Sequence, residues 1–211
     1  GSDLNPVPSM FFLRTVVSRL FSHAAALRAR RIVCVTPQLR RRLWWRRRHV
    51  EVLPTGVDTA LFRPVPRDEA RRTLDWRTSA PVVLFNAGRS PRVKRLDLAR
   101  AAFEAARRQA GNLRLEVLDG TLDPGLVPTV MNAADCLLVT SDWEGSPTVV
   151  QEAVACDLPV VSVDVGDVRH RLREVRPSAI VARDPQALGR ALVEMLAHPV
   201  RSNGSKVAGE I

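Results

Sequence analysis

The chain has 211 residues, of which 45% are hydrophobic and 26% charged. That is ordinary for a globular protein of one or two domains with one sizeable core, and it excludes disordered and fibrous classes. Lysine and arginine total 32 against 22 acids, a net charge of +10, which points to anionic partners such as lipid, nucleic acid or phosphorylated small molecules and says little about fold.

Residues 10–30 carry apolar side chains at helical spacing and predict an amphipathic helix. Its opening run, Met10 to Leu13, is interrupted at Arg14 and Arg19, so it reads neither as a signal peptide nor as a spanning helix, which needs ~18 apolar residues. His23 is expected on the surface of this helix. Residues 31–36 (RIVCVT) predict a strand, Pro37 opens a helix running to about Arg47, and residues 49–53 predict a second strand. The aperiodic, Pro- and Gly-rich stretch 54–66 reads as a linker.

Beyond it, strands and helices alternate. Strands are expected at 82–87, 113–118, 136–140, 159–163 and 179–181, and helices at 68–76, 95–109, 125–134, 147–156, 167–175 and 185–197. Alternation of this kind predicts βαβ units in a doubly wound parallel sheet, an α/β fold, and continuous apolar runs such as VVLF and CLLV suit strands covered on both faces. Residues 201–211 read as a loose tail. Cys34, Cys136 and Cys156 are odd in number and sit in apolar runs without a CxxC pair. They read as buried free thiols suited to a reducing cytoplasm.

A doubly wound sheet binds its ligand at the carboxyl ends of its strands, so the loops there carry the functional reading. After VVLFN comes AGRSPRVK, in which Gly88 permits close backbone approach and Arg89 and Lys94 could clamp a diphosphate. The same residues read equally as a solvated basic loop. Asp119-Gly120 after LRLEVL is a turn signal. After CLLVT comes SDWEGSP, with Ser146 as N-cap and Pro147 as first residue of a helix whose free N–H groups favour an anion. Glu152, inside that helix, would by itself be a helix acid on a polar face. Glu144, just outside it, is electrostatically awkward beside a phosphate unless it meets hydroxyls or developing positive charge.

The succession GRSPRVK, a strand ending in DG, then NAADCLLVTSDWEGSPTVVQEAVACDLPVVSVDVGDV, resembles the carboxyl-terminal, donor-binding domain of retaining family 4 glycosyltransferases. VTPQL and VLPTGVDTALFRP resemble the segment joining that family's two domains. The resemblance implies a GT-B fold with a Rossmann-like domain over residues 56–200, preceded by a partial α/β unit and linker over 1–55. It implies transfer of a sugar from a nucleoside-diphosphate sugar with retention and without a metal or other cofactor, as in polysaccharide biosynthesis. By that resemblance Arg89 and Lys94 hold the diphosphate and Glu144 faces the donor sugar as the catalytic residue. Gly145 and Ser146 supply backbone contacts, Thr148 and Val149 lie near the phosphates, and Glu152 binds the ribose hydroxyls. Most of the family's amino-terminal acceptor domain is missing, and the stretch from Gly120 to Met131 lacks a helix and strand. The first departure suggests a truncated chain, the second falls where the family's chain ends near the nucleobase pocket, and a non-catalytic nucleotide-binding module that needs a separate acceptor domain is the rival reading.

Residues 40–48 (RRRLWWRRR) combine arginine with tryptophan, a combination that suits an anionic membrane surface, here the inner face seen from the cytoplasm. The alternatives are nucleic acid, ranked last because it leaves the EGSP loop unexplained, and core tryptophans behind a solvated arginine face.

Overall fold

The computed structural model describes residues 12–43, 49–77 and 79–208. The first unit is α1 (Phe12–Arg28), β1 (Ile32–Cys34), α2 (Pro37–Arg41) and β2 (Val50–Val52). The two strands pair in parallel, Ile32 opposite Val50 and Cys34 opposite Val52. Ala26, Cys34, Leu39, Leu43 and Val50 form a small core of their own. Against expectation, His23 is buried, because α1 turns that face toward the unit. Thr36 caps α2, its hydroxyl accepting from the Leu39 N–H at 3.3 Å. The helix expected to reach Arg47 ends at Arg41, and the Trp44–Arg48 part of the basic segment lies outside the described residues.

The second unit runs α3 (Arg67–Thr73), β3 (Val82–Asn86), α4 (Pro91–Lys94), α5 (Leu96–Ala110) and β4 (Arg114–Leu118). A 3-10 turn at Pro124–Leu126 then leads into α6 (Val127–Ala133), β5 (Cys136–Val139), α7 (Thr148–Ala155) and β6 (Val160–Val163), followed by α8 (Val168–Arg171), β7 (Ser178–Val181), α9 (Pro185–Ala197) and α10 (Gly204–Ala208). Its five strands are all parallel, in the order β4-β3-β5-β6-β7. The chain leaves β3 on one side for β4 and returns to the other side for β5, so the topological switch point lies between β3 and β5, where doubly wound sheets open a ligand crevice at the strands' carboxyl ends.

The continuous apolar runs have the expected cause. Every residue of β5 and β6, and Val82 to Phe85 of β3, is buried, sandwiched between helix layers. On one face α5 and α9 approach closely enough that a Cβ on Gly189 would sit 2.7 Å from Ala105 Cβ. The helix expected over 167–175 stops at Arg171. The Arg176 guanidinium and the Ser178 hydroxyl donate to the carbonyls of Leu172 and Val175, so those acceptors are taken by side chains.

The segment read as a loose tail is docked through Ala208. The Ser202 N–H donates to Asp157 O at 2.8 Å, Ser205 N–H and Oγ both donate to the Asp157 carboxylate, and Asn203 bridges Arg176 N–H and Glu174 O. Gly204 lies so close to α7 that a Cβ there would stand 2.2 Å from Val154 O. Gly204→Ala is therefore expected to cost about 1–3 kcal/mol through overpacking. Thermal melting checks this; an unchanged midpoint would mean that the docking contributes nothing.

Candidate functional site

Two loops meet at the switch point. The first follows β3. Ala87 and Gly88 N–H groups both donate to Leu118 O, at 2.8 and 3.0 Å, which ties this loop to the Asp119-Gly120 turn. Gly88 has φ +48, and Gly120, φ +88, packs against Gly88 and the stem of Arg89. Asp119 closes the turn by accepting from both the N–H and the hydroxyl of Thr121. Arg89 is exposed, and among the described residues its guanidinium has no ion pair. Between α4 and α5, Arg95 adopts the left-handed conformation, φ 59. It is held by Asp97 and by Asp142 of the second loop, at 2.9 and 3.0 Å, and these carboxylates push its already high pKa further up.

The second loop, Ser141–Pro147, follows β5 and is stitched to the first. The Thr140 hydroxyl lies 2.8 Å from Lys94 O and 3.0 Å from Arg95 O, and Asp142 N–H donates to Val93 O at 2.9 Å. Arg183, beyond β7, donates to the carbonyls of Thr140 and Ser141 at 2.8 and 2.7 Å. This framework brings Lys94 Nζ to 2.7 Å from Glu144 Oε1, both groups largely buried. A residue expected at a diphosphate and one expected at a sugar are thus in direct contact.

Ser146 departs from its expected role. The N-cap of α7 is Pro147, and no side chain caps the helix. The Ser146 hydroxyl is committed elsewhere, to Asp167 Oδ2 at 2.8 Å and to Gln151 Nε2 at 3.0 Å. Gln151 also reaches the linker's Thr55 at 2.9 Å, and Arg171 pairs with Asp167 at 3.1 Å. The first turn of α7, with exposed Thr148 and buried Val149, therefore opens toward the crevice without a side chain occupying its N–H groups, an arrangement that favours an anion. Gly166, φ +59, is required where it stands, since a Cβ there would lie 2.7 Å from Gly145 O and 3.2 Å from Glu144 Cβ.

One turn into α7, Glu152 is half-buried, and no hydrogen bond to its carboxylate forms among the described residues. Burial pushes its pKa up, and the Lys94 charge pulls it partly back. A carboxyl whose folded pKa lies above its ordinary value of 4.5 contributes full stability below that value and loses it as pH rises through the folded pKa. Glu152→Gln is accordingly expected to raise the melting temperature near pH 7, by on the order of 2 °C, and to give no gain at about pH 4. A gain of equal size at both pH values would contradict the burial argument.

The third wall of the site comes from the first unit. A Cβ on Gly145 would touch Leu39 and Val35, both at 3.4 Å. A cleft of about 210 Å3 lies between α2 and the Asp142–Gly145 and Asp164–Gly166 loops. Of the residues singled out in the sequence, Glu144 and Gly145 line this cleft, Lys94 contacts Glu144, Glu152 lies within electrostatic reach of Lys94, and Arg89 is exposed. Sequence reasoning missed Thr140, Asp142, Gln151, Asp167 and Arg183. Thr140, Asp142 and Gln151 lie inside the stretch already singled out, where nothing local marks their partners, whereas Arg183 sits two strands away and carries no local signal.

A parallel sheet of this order, flanked by helices on both faces, has the fold of the GT-B glycosyltransferases. The chain belongs to the family described as Glycosyl transferases group 1, whose sequence profile matches residues 80–198. It is 28% identical over 189 residues to D-inositol 3-phosphate glycosyltransferase of Segniliparus rotundus, covering 76% of this chain and 42% of that protein. The chain therefore spans less than half the length of the curated relatives it matches. Its structure resembles sucrose-phosphate synthase from Thermosynechococcus elongatus with TM-score 0.73 and 23% identity, over 97% of this chain and 57% of that one. It also resembles Anabaena HepE in complex with UDP and glucose, with TM-score 0.72 and 16% identity, over 92% and 62%. Among the described residues no helix is long and apolar enough to cross a membrane, and the three cysteines are buried and free.

Proposed function

We propose that this chain is the donor-binding side of a family 4 glycosyltransferase that moves a sugar from a nucleoside-diphosphate sugar to an acceptor hydroxyl with retention. The observation that carries the reading is the Lys94–Glu144 contact of 2.7 Å at the switch point. It joins a diphosphate-binding cation and a sugar-facing carboxylate across two loops. Lys94 has three N–H donors, so its ammonium holds Glu144 and still reaches a phosphate oxygen. Arg89 supplies a second cation, and the N–H groups of Thr148 and Val149 at the start of α7 a third source of positive potential. Leaving-group charge is thus met by groups fixed before the reaction, and no step calls for a metal. Glu144 and the Gly145-Ser146 backbone face the sugar. Glu152, whose carboxylate forms no hydrogen bond among the described residues, accepts from the ribose hydroxyls. The UDP and glucose named for HepE support a donor of this chemistry. The boundary falls near residue 55, with residues 1–55 as part of an acceptor-side unit. The free thiols suit a reducing cytoplasm, and the arginines from residue 40 onward suit the adjacent membrane face.

Titration with UDP and GDP tests this reading. Saturable binding with a rise in melting temperature is expected for at least one of them. Indifference to every nucleoside diphosphate sinks it.

A further inference from the structure

The end of the sheet opposite the candidate site gathers charge of its own. A cavity of about 290 Å3 opens there beside the start of β5, with Arg67, Asp68, Asp135, Val200 and Arg201 in its wall. Arg67 and Arg71 both bond the Asp135 carboxylate, at 2.5 and 2.6 Å. Arg201, in the segment between α9 and α10, donates through Nη2 to the Asn132 carbonyl.

Arg201 is the member of this group without a counter-ion. Among the described residues it forms no ion pair, and its Nη1 is buried without an acceptor. The acids within its electrostatic reach are Asp135 and Asp157, and both are taken. Asp135 accepts from Arg67, Arg71 and the Val82 N–H, and the two oxygens of Asp157 accept from Ser205. The Cys156 thiol, its pKa pushed up to about 12 by burial, is neutral at ordinary pH. Asp68 stands 3.9 Å from Arg67 Nε with its side chain 89% exposed, so water screens it. Burial pulls the Arg201 pKa down, as expected of a desolvated cation. A cation withdrawn from water without an anion is among the costliest arrangements in a protein. Arg67 has donors to spare, since a guanidinium carries five N–H groups and only Nη1 is bonded to Asp135.

We propose that this cavity is a binding site for a small oxyanion, a phosphate or a carboxylate, held between Arg67 and Arg201. Such a ligand supplies the negative charge and the acceptors that the chain does not, and its oxygens match the planar fork of a guanidinium. The site lies at the amino ends of the strands, whereas Lys94, Glu144 and the start of α7 lie at the carboxyl ends. Its ligand is therefore neither the donor nor a molecule that meets the donor. By joining α3 to the segment after α9, it stabilises the folded chain through linkage.

The test follows the melting temperature of the whole chain, in the presence of excess UDP, as inorganic phosphate or succinate is added at an ionic strength held constant with KCl. At least one of the two is expected to raise the midpoint by about 3–5 °C at ten times its Kd, and which one does so identifies the group. A response to neither overturns the proposal. Arg201→Gln is expected to weaken the binding about 10–100-fold, the loss of a charge-assisted hydrogen bond. Val200→Glu puts a carboxylate into the cavity wall at a position 59% exposed, where folding is spared, and is expected to abolish the response by repulsion. Unchanged affinity in either variant overturns the proposal, and Val200→Glu carries the test alone where Arg201→Gln does not fold. The same titration on Lys94→Ala without UDP separates this site from the donor crevice. There the response is expected to persist in full; its loss places the anion at the donor loops and overturns the proposal. The outcome is independent of whether UDP binds, so failure of the donor reading is seen separately.

Discussion

Asp135→Ala is expected to cost about 3–5 kcal/mol, the loss seen when one partner of a buried ion pair is removed. Asp135 stands at the start of β5 with its side chain 2% exposed. Its Oδ1 accepts from Arg67 Nη1 at 2.5 Å, and its Oδ2 accepts from Arg71 Nη2 at 2.6 Å and from the Val82 N–H at 2.7 Å. Arg67 is partly exposed and would rehydrate, so most of the cost comes from Arg71, 11% exposed, and from the orphaned Val82 amide. Against a total stability of about 5–15 kcal/mol, this leaves a variant near its unfolding midpoint in mild denaturant. Urea unfolding checks it, and a midpoint within error of the parent would show that water replaces the carboxylate without penalty. The pair lies at the amino ends of the strands, opposite the candidate site, so the folded fraction should keep its affinity for nucleoside diphosphate.

Lys94→Ala is expected to act mainly on binding, weakening nucleoside diphosphate affinity about 10–100-fold, as for one lost charge-assisted hydrogen bond, with a smaller loss of stability than Asp135→Ala, because both members of its ion pair keep some contact with water. Lys94 ends a four-residue helix that has no fully buried residue. Its removal also leaves Glu144, 16% exposed, without its cation beside the desolvated Glu152, so two carboxylates then repel the incoming diphosphate. Calorimetric titration with UDP or GDP measures the effect. Retained affinity would move the diphosphate away from Lys94. A single cooperative melting transition above the assay temperature in the unliganded protein is the companion result that separates lost binding from lost structure.

The contrast between these two residues bears on what a sequence discloses. Lys94 was legible because it stands in a short motif, GRSPRVK, after a strand that announces itself by four consecutive apolar residues. The Glu144 loop was legible for the same reason. Asp135 was not, because its partners Arg67 and Arg71 lie more than sixty residues away in the chain. Ser146 was misjudged as a cap because local pattern favours a serine before a proline. In the structure its hydroxyl bonds Asp167, twenty-one residues on, a competitor invisible to any local rule. The tail was misjudged similarly: RSNGS has no period, and its order comes from Asp157, whose carboxylate captures Ser205.

What the sequence determined by itself is the succession of strands and helices, the parallel sheet and the loops that could bear chemistry. Apolar periodicity and turn residues act over a few positions, and a βαβ succession leaves little topological freedom. Only the tertiary structure decided which groups touch. It paired Lys94 with Glu144, tied Thr55 of the linker to Ser146 and Gln151, and set the arginine-bearing α2 across a cleft from the loops that follow β5 and β6. Such contacts depend on how the two units fold against each other, and the free energy of placing a charge depends on every group around it rather than on its neighbours in the chain.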